Sequence, residues 1–211
     1  MFSICMKIVK EGDLEKEISS MDKAERNFNS KIGVIQRDFY QCIQQPHIIW
    51  AATKWESEEA HNTAAENIMK VRKDDRIASA YFRPGLYFEI FCKEINDAAY
   101  NISDSEKADF IIICHGLIAN NNHNKWLEEL KEKKSNLPKL EGLLKIRTFY
   151  NYYSPCEFVG FIEWTNSSFY EKSRMLNGST IEEVFYIMGK NRELASYIQY
   201  ECQPLNIGGK E

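Results

Sequence analysis

The composition of this 211-residue chain is that of an ordinary globular protein, with 44% hydrophobic and 27% charged residues. Its formal net charge of −4 provides no basic footprint, so we expect no nucleic-acid partner. No apolar run approaches the ~20 residues that a membrane-spanning helix needs, so we expect no membrane partner either.

The number and spacing of the cysteines and histidines indicate a reducing cellular compartment and argue against a metal site. The sequence has six cysteines, no CxxC pair and no signal-peptide pattern at its start, which is typical of reduced thiols in the cytoplasm. The four histidines are scattered, so the spacing of a zinc site is missing. We therefore predict a cytoplasmic protein with no metal.

The first half of the chain predicts the order β-α-β-β-α-β. Asp13 is a good N-cap before apolar residues at helical spacing, and Pro46 turns a hairpin. Ser57 caps a second helix, whose first turn carries the acids that a helix dipole favours. The expected elements are a strand over 2–9, a helix over 14–29, strands over 34–43 and 47–55, a helix from Ser57 and a strand over 86–92.

The second half repeats this order after a polar, turn-rich stretch. Its expected elements are a strand over 110–117, a helix over 125–135, a hairpin over 143–152 and 157–164, a helix capped by Asn166 and a strand over 194–204. We therefore predict a first repeat over residues 1–95, a linker over 96–107, a second repeat over 108–205 and a loose tail over 206–211.

Matching landmarks support a tandem repeat. The motif Arg37-Asp38-Phe39-Tyr40 recurs as Arg147-Thr148-Phe149-Tyr150 at an offset of 110 (147 − 37), whereas Trp55 and Trp164 are 109 apart (164 − 55). The hairpin turns therefore differ by one residue. Two further pairs of landmarks stay in phase, Ile4-Cys5 with Ile113-Cys114 and the segment 87–92 with 197–202.

The hairpin Phe39-Tyr40, Pro46 and Trp55, followed by Glu56-Ser57-Glu58-Glu59-Ala60, resembles the antibiotic biosynthesis monooxygenase family of the dimeric α/β-barrel superfamily. The resemblance implies an α+β fold of two tandem ferredoxin-like repeats, whose antiparallel sheets pack as an intramolecular pseudo-dimeric α/β barrel. A sheet with helices on one face leaves its other face apolar, so the repeats would associate with each other. A further homo-oligomer stays open.

The resemblance also implies a function, a cofactor-independent monooxygenase acting on a small aromatic or quinol-like ligand. The alternatives are a non-catalytic ligand-binding or structural barrel and a degenerate haem binder. Related haem-degrading enzymes need Asn, Trp and His at positions where this chain has other residue types, namely Cys5, Cys114, Ala64, Ser173, Asp74 and Glu183. Haem degradation is therefore disfavoured.

Four residues are candidates for catalysis. His61 could serve as a general base near neutral pH, although a surface histidine on a helix is the common alternative. Arg37 and Arg147 could bind an anionic substrate or form ion pairs. His115 could line the barrel or be a hydrogen-bonded core residue.

Six residues are candidates for lining a pocket. In the ferredoxin strand order, Cys5 and Cys92 lie on adjacent strands, as do Cys114 and Cys202, so each pair could place two thiols at a pocket. Buried cysteines that act as small hydrophobic residues are the alternative. Trp55 and Trp164 are either packing anchors or stacking surfaces.

Overall fold

The structure is a computed structural model that describes residues 1–10, 12–28, 33–64, 66, 87–95, 100–101, 106–119, 123–135, 139–175 and 194–208. It divides into two compact units. The first unit comprises Met1–Cys92 and Pro204–Glu211, and the second comprises Lys93–Gln203. The repeat boundaries drawn from the sequence remain a prediction.

The order of elements in each half follows the sequence prediction. Residues 1–94 form β1 (Phe2–Ile8), α1 (Leu14–Phe28), β2 (Val34–Cys42), β3 (Ile48–Trp55), α2 (residues 58–64) and β4 (Tyr87–Glu94). The later elements are β5 (Tyr100–Asn101), β6 (Phe110–Ile118), α3 (His123–Ser135), β7 (Leu143–Asn151), β8 (Glu157–Trp164), α4 (Ser167–Met175) and β9 (Leu194–Pro204). The predicted linker over 96–107 contains β5, which pairs with β7. Its residues 96–99 and 102–105 lie outside the described part.

Both units have a ferredoxin-like strand order. In the first unit the antiparallel order is β4-β1-β3-β2, so β1 and β3 are central. In the second unit β6 pairs with β9 and β8, and β8 pairs with β7, which gives β9-β6-β8-β7 with β5 outside β7. The first and last long strands of each unit are therefore neighbours.

The two faces of the first unit's sheet differ in chemistry. Successive strand residues point to opposite faces, and one face carries Ile4, Trp50, Ile90 and Cys92, each at most 4% exposed. The other face lies under α1 and α2 and carries polar side chains. The first strand is therefore predominantly apolar on only one of its two faces.

The helix-covered face of the second unit is apolar. Its core combines residues of the sheet and of α3 and α4, namely Phe110, Ile112, Ile146, Phe158, Ile162, Trp164, Trp126, Leu130 and Tyr170. The burial of these side chains is the driving force that fixes α3 and α4 on this sheet.

A glycine at the start of each hairpin joins sheet and helix in the same way. Gly33 and Gly142, again 109 apart (142 − 33), both have positive φ and accept a backbone hydrogen bond just beyond β3 or β8. A Cβ on Gly33 would lie 2.6 Å from the Ala60 Cβ, and one on Gly142 would lie 2.3 Å from the Phe169 ring. Only glycine allows both the left-handed backbone and this close approach.

Two of the predicted helix caps, Ser57 and Asn166, are confirmed. The Ser57 hydroxyl accepts a hydrogen bond from the Ala60 amide at 3.0 Å, and the Asn166 side chain accepts from the amides of Ser168 and Phe169 at 3.0 and 3.3 Å. These caps set where α2 and α4 begin, and therefore which of their residues face the sheet.

Residues 204–208, which we call the returning segment, are ordered against the first unit rather than forming a loose tail. Ile207 is 3% exposed and packs with Val9, Met21 and Ile49. The Leu205 amide donates to the Phe39 carbonyl at 2.8 Å. Leu205 and Ile207 are the only apolar side chains of this short segment besides Pro204, and a stretch this short has too few residues to establish a hydrophobic period that would predict the docking.

Candidate functional site

His61 lies on the face of α2 that packs against the polar face of the first unit's sheet. Its imidazole is held edge-to-face between the rings of Trp55 and Phe91, with centroids 4.9 and 4.6 Å away. The residue is 8% exposed, because the fourth position after the Ser57 cap turns inward. His61 is therefore a buried histidine of the helix–sheet layer, not a surface one.

Glu89 is the acidic partner of His61. Its Oε1 lies 3.6 Å from His61 Nε2 and accepts a hydrogen bond from the Cys5 thiol at 3.4 Å. The hydrogen bond with Glu89 raises the pKa of His61 above its ordinary value, against the lowering effects of burial and of the positive charge of Arg37. The site thus brings together an imidazole, a carboxylate and a thiol.

Arg37 is part of the same layer. Its Nε donates to the Thr53 hydroxyl at 2.9 Å and its Nη1 to Glu25 Oε2 at 2.9 Å, while its Cζ lies 5.6 Å from the Trp55 ring centroid. Trp55 in turn donates from Nε1 to the Ser3 hydroxyl at 3.0 Å. Trp55 therefore stands between the guanidinium of Arg37 and the imidazole of His61.

Arg147 does not occupy the position of Arg37, although the two motifs match in sequence. Arg37 pairs with Thr53, two residues before Trp55, whereas Arg147 pairs with Phe161, three residues before Trp164. Both tryptophans face their helices, so an odd separation places Arg147 on the opposite face. There it forms an ion pair with Glu163 at 2.7 Å.

At the three positions that correspond to His61, Glu89 and Arg37, the second unit carries uncharged residues. Tyr170 is the fourth residue after the Asn166 cap, as His61 is after Ser57, and it accepts a hydrogen bond from Gln199 at 3.1 Å. Gln199 pairs with Cys114 as Glu89 pairs with Cys5. Ile146 pairs with Ile162, two residues before Trp164, which is the position that Arg37 has relative to Trp55.

His115 lies away from this layer, on the opposite face of its sheet. Its Nε2 lies 2.9 Å from Glu157 Oε1, and the Asn151 amide donates to Glu157 Oε2 at 2.6 Å. Both hydrogen bonds hold the pKa of Glu157 below its ordinary value, with His115 the larger cause. His115 is therefore paired with Glu157 on the sheet face opposite the helices, which is also the face that carries Arg147.

The predicted thiol pairs do not form. Cys5 pairs with Glu89, whereas Cys92 pairs with Phe2, and three residues separate these positions on β1, so the two thiols point to opposite faces. The same offset separates Cys114 from Cys202. Cys92 and Cys202 are fully buried, and only Cys5 joins the charged layer.

Trp164 and Cys114 belong to the apolar layer of the second unit. Trp164 is 3% exposed and lies edge-on to Tyr170, so it is a packing anchor. The Cys114 sulfur lies 3.1 Å from the Tyr197 hydroxyl, which donates to Gln199 at 3.1 Å. These hydrogen bonds pair the polar groups of Cys114, Tyr197 and Gln199 with one another, and none of the three residues is charged.

Sequence reasoning missed Glu25 and Glu89, the two acids of the site. Glu89 could have been found, because it is the only charged residue among Tyr87-Phe88-Glu89-Ile90-Phe91-Cys92. Glu25 sits in a helix full of charges, so nothing in its spacing separated it from solvated acids.

The described residues contain no cluster of metal-ligating side chains. No group of three or more His, Cys, Asp or Glu side chains among them could hold a metal ion. Ala64 is buried and Ser173 donates to the Tyr170 carbonyl at 2.7 Å, so neither provides an iron ligand. The positions 74 and 183 lie outside the described residues.

Comparison of the fold with solved structures finds full-length similarity. A Fusobacterium nucleatum protein provisionally named a monooxygenase matches with a TM-score of 0.68 at 15% identity, covering 98% of this chain and 92% of that one. An anthrone oxidase-like protein matches with a TM-score of 0.64 at 11% identity, covering 99% and 94%. A Listeria monocytogenes ferredoxin-fold protein related to antibiotic biosynthesis monooxygenases matches with a TM-score of 0.52 at 10% identity, covering 98% and 96%.

These likenesses establish the fold class as α+β and ferredoxin-like, which confirms the coarse expectation from the sequence. No protein-family model and no curated protein matches the chain. In the part of the chain that the structure describes, no helix is long and apolar enough to cross a membrane.

Proposed function

We propose that the protein is a cofactor-independent monooxygenase of the antibiotic biosynthesis type, acting on a small aromatic or quinol-like compound at the His61 site. The observation that carries the proposal is the buried His61, held between two aromatic rings with Glu89 at its edge. A histidine in a water-poor aromatic layer can remove a proton from an electron-rich aromatic compound. The name of the anthrone oxidase-like relative supports the same substrate class.

The proposed reaction converts a CH₂ group between two aryl rings into a carbonyl. The neutral imidazole of His61 takes one proton, and the resulting carbanion donates electrons to O₂. A carbon–oxygen bond forms, the oxygen–oxygen bond breaks, and the second hydrogen of the CH₂ group is lost. One oxygen atom stays in the product and the other leaves as water with both hydrogens. The positive charge of Arg37 favours the anion that precedes electron transfer.

The tandem arrangement is part of this proposal. We infer that the chain arose by duplication and that its two sheets cover each other as a pseudo-dimeric barrel, with further homo-oligomers open. The shared strand order and the glycines at 33 and 142 support the duplication. None of the six cysteines, all of which lie in the described part of the chain, forms a disulfide bond, which supports a reducing, cytoplasmic location.

A second candidate function is ligand binding without turnover. It is favoured by the internal pairing of the cationic groups in the layer, since Arg37 binds Glu25 and Lys7 binds Glu17. A site that keeps its charges in internal pairs has fewer of them available for a reaction. Turnover decides between the two candidates.

Oxygen uptake with anthrone as substrate tests the proposed reaction. We expect His61→Gln to lower the rate about 100-fold or more, because general base catalysis contributes about 10²–10⁴-fold. His115→Gln is the matched control, since His115 also pairs with a glutamate but lies outside the layer. We expect its rate to stay within about twofold of the wild type, a change too small to reflect a lost catalytic base.

Two results would reject the proposed reaction. One is a wild-type rate no higher than that of heat-denatured protein with anthrone and with hydroquinones. The other is a folded His61→Gln variant, checked by circular dichroism, that is as active as the wild type. Binding of these compounds without oxygen uptake would support the second candidate.

A further inference from the structure

Glu25 is a buried acid with one oxygen left unpaired. The residue is 1% exposed and lies between α1 and the sheet of the first unit. Its Oε2 accepts the hydrogen bond from Arg37, whereas its Oε1 is buried without a hydrogen-bond partner. Leaving a buried acceptor unpaired is costly, more so on a charged group, so such an atom calls for an explanation.

The surrounding chain holds Glu25 in this position. Gly208 has a φ of +85° and lies so close that a Cβ on it would be 2.8 Å from Glu25 Cγ. The Gly208 amide does not reach the unpaired oxygen, because it donates to Asp22 Oδ1 at 2.7 Å. The returning segment therefore covers the stem of Glu25 and leaves its Oε1 without a donor.

A neutral donor fits the unpaired oxygen of Glu25 better than a second cation does. Arg37 already places a full positive charge beside the carboxylate, so a second cation would be repelled. A hydroxyl group can donate without adding charge. The contacts of Arg37 with Trp55 and of Trp55 with His61 form a continuous path from Glu25 to the proposed base.

We propose that Glu25 Oε1 accepts a hydrogen bond from a hydroxyl group on the substrate, so that the site selects hydroxylated aromatic compounds. This inference rests on the proposed function for placing the substrate in the first unit. The aromatic ring lies along Trp55, its hydroxyl points to Glu25 and its reacting carbon points to His61. Glu25 thus determines specificity, while His61 removes the proton.

A pair of ligands that differ only at the hydroxyl tests this role without requiring turnover. The probes are 2-naphthol and 2-methoxynaphthalene, titrated calorimetrically into the full-length protein. We expect 2-naphthol to bind the wild type about tenfold or more tightly, because a hydrogen bond to a charged group is worth that much in affinity. In Glu25→Gln we expect the preference to fall to about threefold or less.

The matched control is Glu17→Gln. Glu17 lies two turns earlier on the same face of α1, is 4% exposed and pairs with Lys7 of the sheet. We expect this variant to keep the preference for 2-naphthol, since its partner is a side chain and not the ligand. If Glu25→Gln does not fold, Glu25→Asp decides, and it must weaken 2-naphthol binding more than 2-methoxynaphthalene binding.

The inference is overturned if the wild type binds neither compound or binds both equally, or if Glu25→Gln keeps the full preference. These results are distinct from a failure of the proposed function. A protein that oxidises anthrone without preferring 2-naphthol refutes only the role of Glu25. One that prefers 2-naphthol without consuming oxygen refutes only the reaction.

Discussion

Glu89 and Glu25 give the layer between helices and sheet in the first unit its chemical character. Each acid meets a basic group of a different element, Glu89 with His61 of α2 and Glu25 with Arg37 of β2. The Glu25–Arg37 pair is largely buried, and a buried ion pair often adds little net stability, because both charges lose water. The first unit carries these pairs, whereas the second unit has Gln199 and Ile146 at the positions that correspond to Glu89 and Arg37.

The pairing of His61 with Glu89 predicts a pH dependence of stability. The pKa of His61 is raised in the folded state, chiefly by Glu89, so the pair stabilises the fold fully below the unfolded pKa of 6.5. That stabilisation is lost as the pH rises through the folded-state pKa. We expect the free energy of unfolding to fall more steeply between about pH 6 and pH 8 in the wild type than in Glu89→Gln.

Urea denaturation at both pH values measures this difference. Glu157→Gln serves as the control, because Glu157 has a lowered pKa and its stabilising effect is lost only as the pH falls towards and below 4.5. Equal slopes for the wild type and Glu89→Gln over this range would show that Glu89 does not set the pKa of His61.

Gly33 and Gly142 show how an element is joined to the next in both units. Each lets a hairpin start against the first turn of a helix, and each needs a positive φ. The neighbour differs, since Gly33 meets the methyl group of Ala60 while Gly142 meets the ring of Phe169. This contact between a hairpin glycine and the next helix is therefore common to both units. The space beside the glycine is smaller in the second unit, because Phe169 is larger than Ala60.

We expect Gly142→Ala to lower the free energy of unfolding by about 2–4 kcal/mol, from left-handed backbone strain and overpacking against Phe169 together. Gly12→Ala is the matched control. Gly12 has a φ of +85° but nothing within 4 Å of a Cβ, so only the backbone strain of about 1–2 kcal/mol applies. Chemical denaturation measures both, and equal losses would mean that the Phe169 contact is easily relieved.

The hairpins also show which part of the fold could be read from the sequence. Strand and helix positions followed from apolar periods and caps such as Ser57 and Asn166, and the structure confirms them. The offsets of 109 and 110 show in the sequence that the two hairpins differ in length by one residue. They do not show which strand positions pair across the turn, and that hydrogen-bond register sets the sheet face of each side chain. That register decides that Arg37 faces the helices and Arg147 does not.

At the scale of the whole molecule, the first unit is completed by a segment distant in sequence. Residues 204–208 begin at the last residue of β9, a strand that otherwise belongs to the second unit, yet they supply Ile207 to the core beneath α1. They also give a backbone hydrogen bond to Phe39 and one to Asp22. The position of α1, and with it that of Glu25, therefore depends on this segment.

We expect Ile207→Ala to lower the free energy of unfolding by about 2–4 kcal/mol, the usual cost of emptying a buried isoleucine site. Ile198→Ala is the control, because Ile198 is 51% exposed and should change stability by no more than about 0.5 kcal/mol. Thermal or urea unfolding compares the two variants. A loss in Ile207→Ala no larger than in Ile198→Ala would mean that the returning segment is not part of the stable core.

The returning segment has a consequence for folding during synthesis. The ribosome delivers residues 1–92 first, but Gly208 follows Cys92 by 116 residues (208 − 92). At about 5–20 residues per second, that interval lasts roughly 6–23 seconds. During this interval α1 lacks its contacts with the returning segment. The unit that emerges first from the ribosome therefore completes its folding only after the second unit has been synthesised.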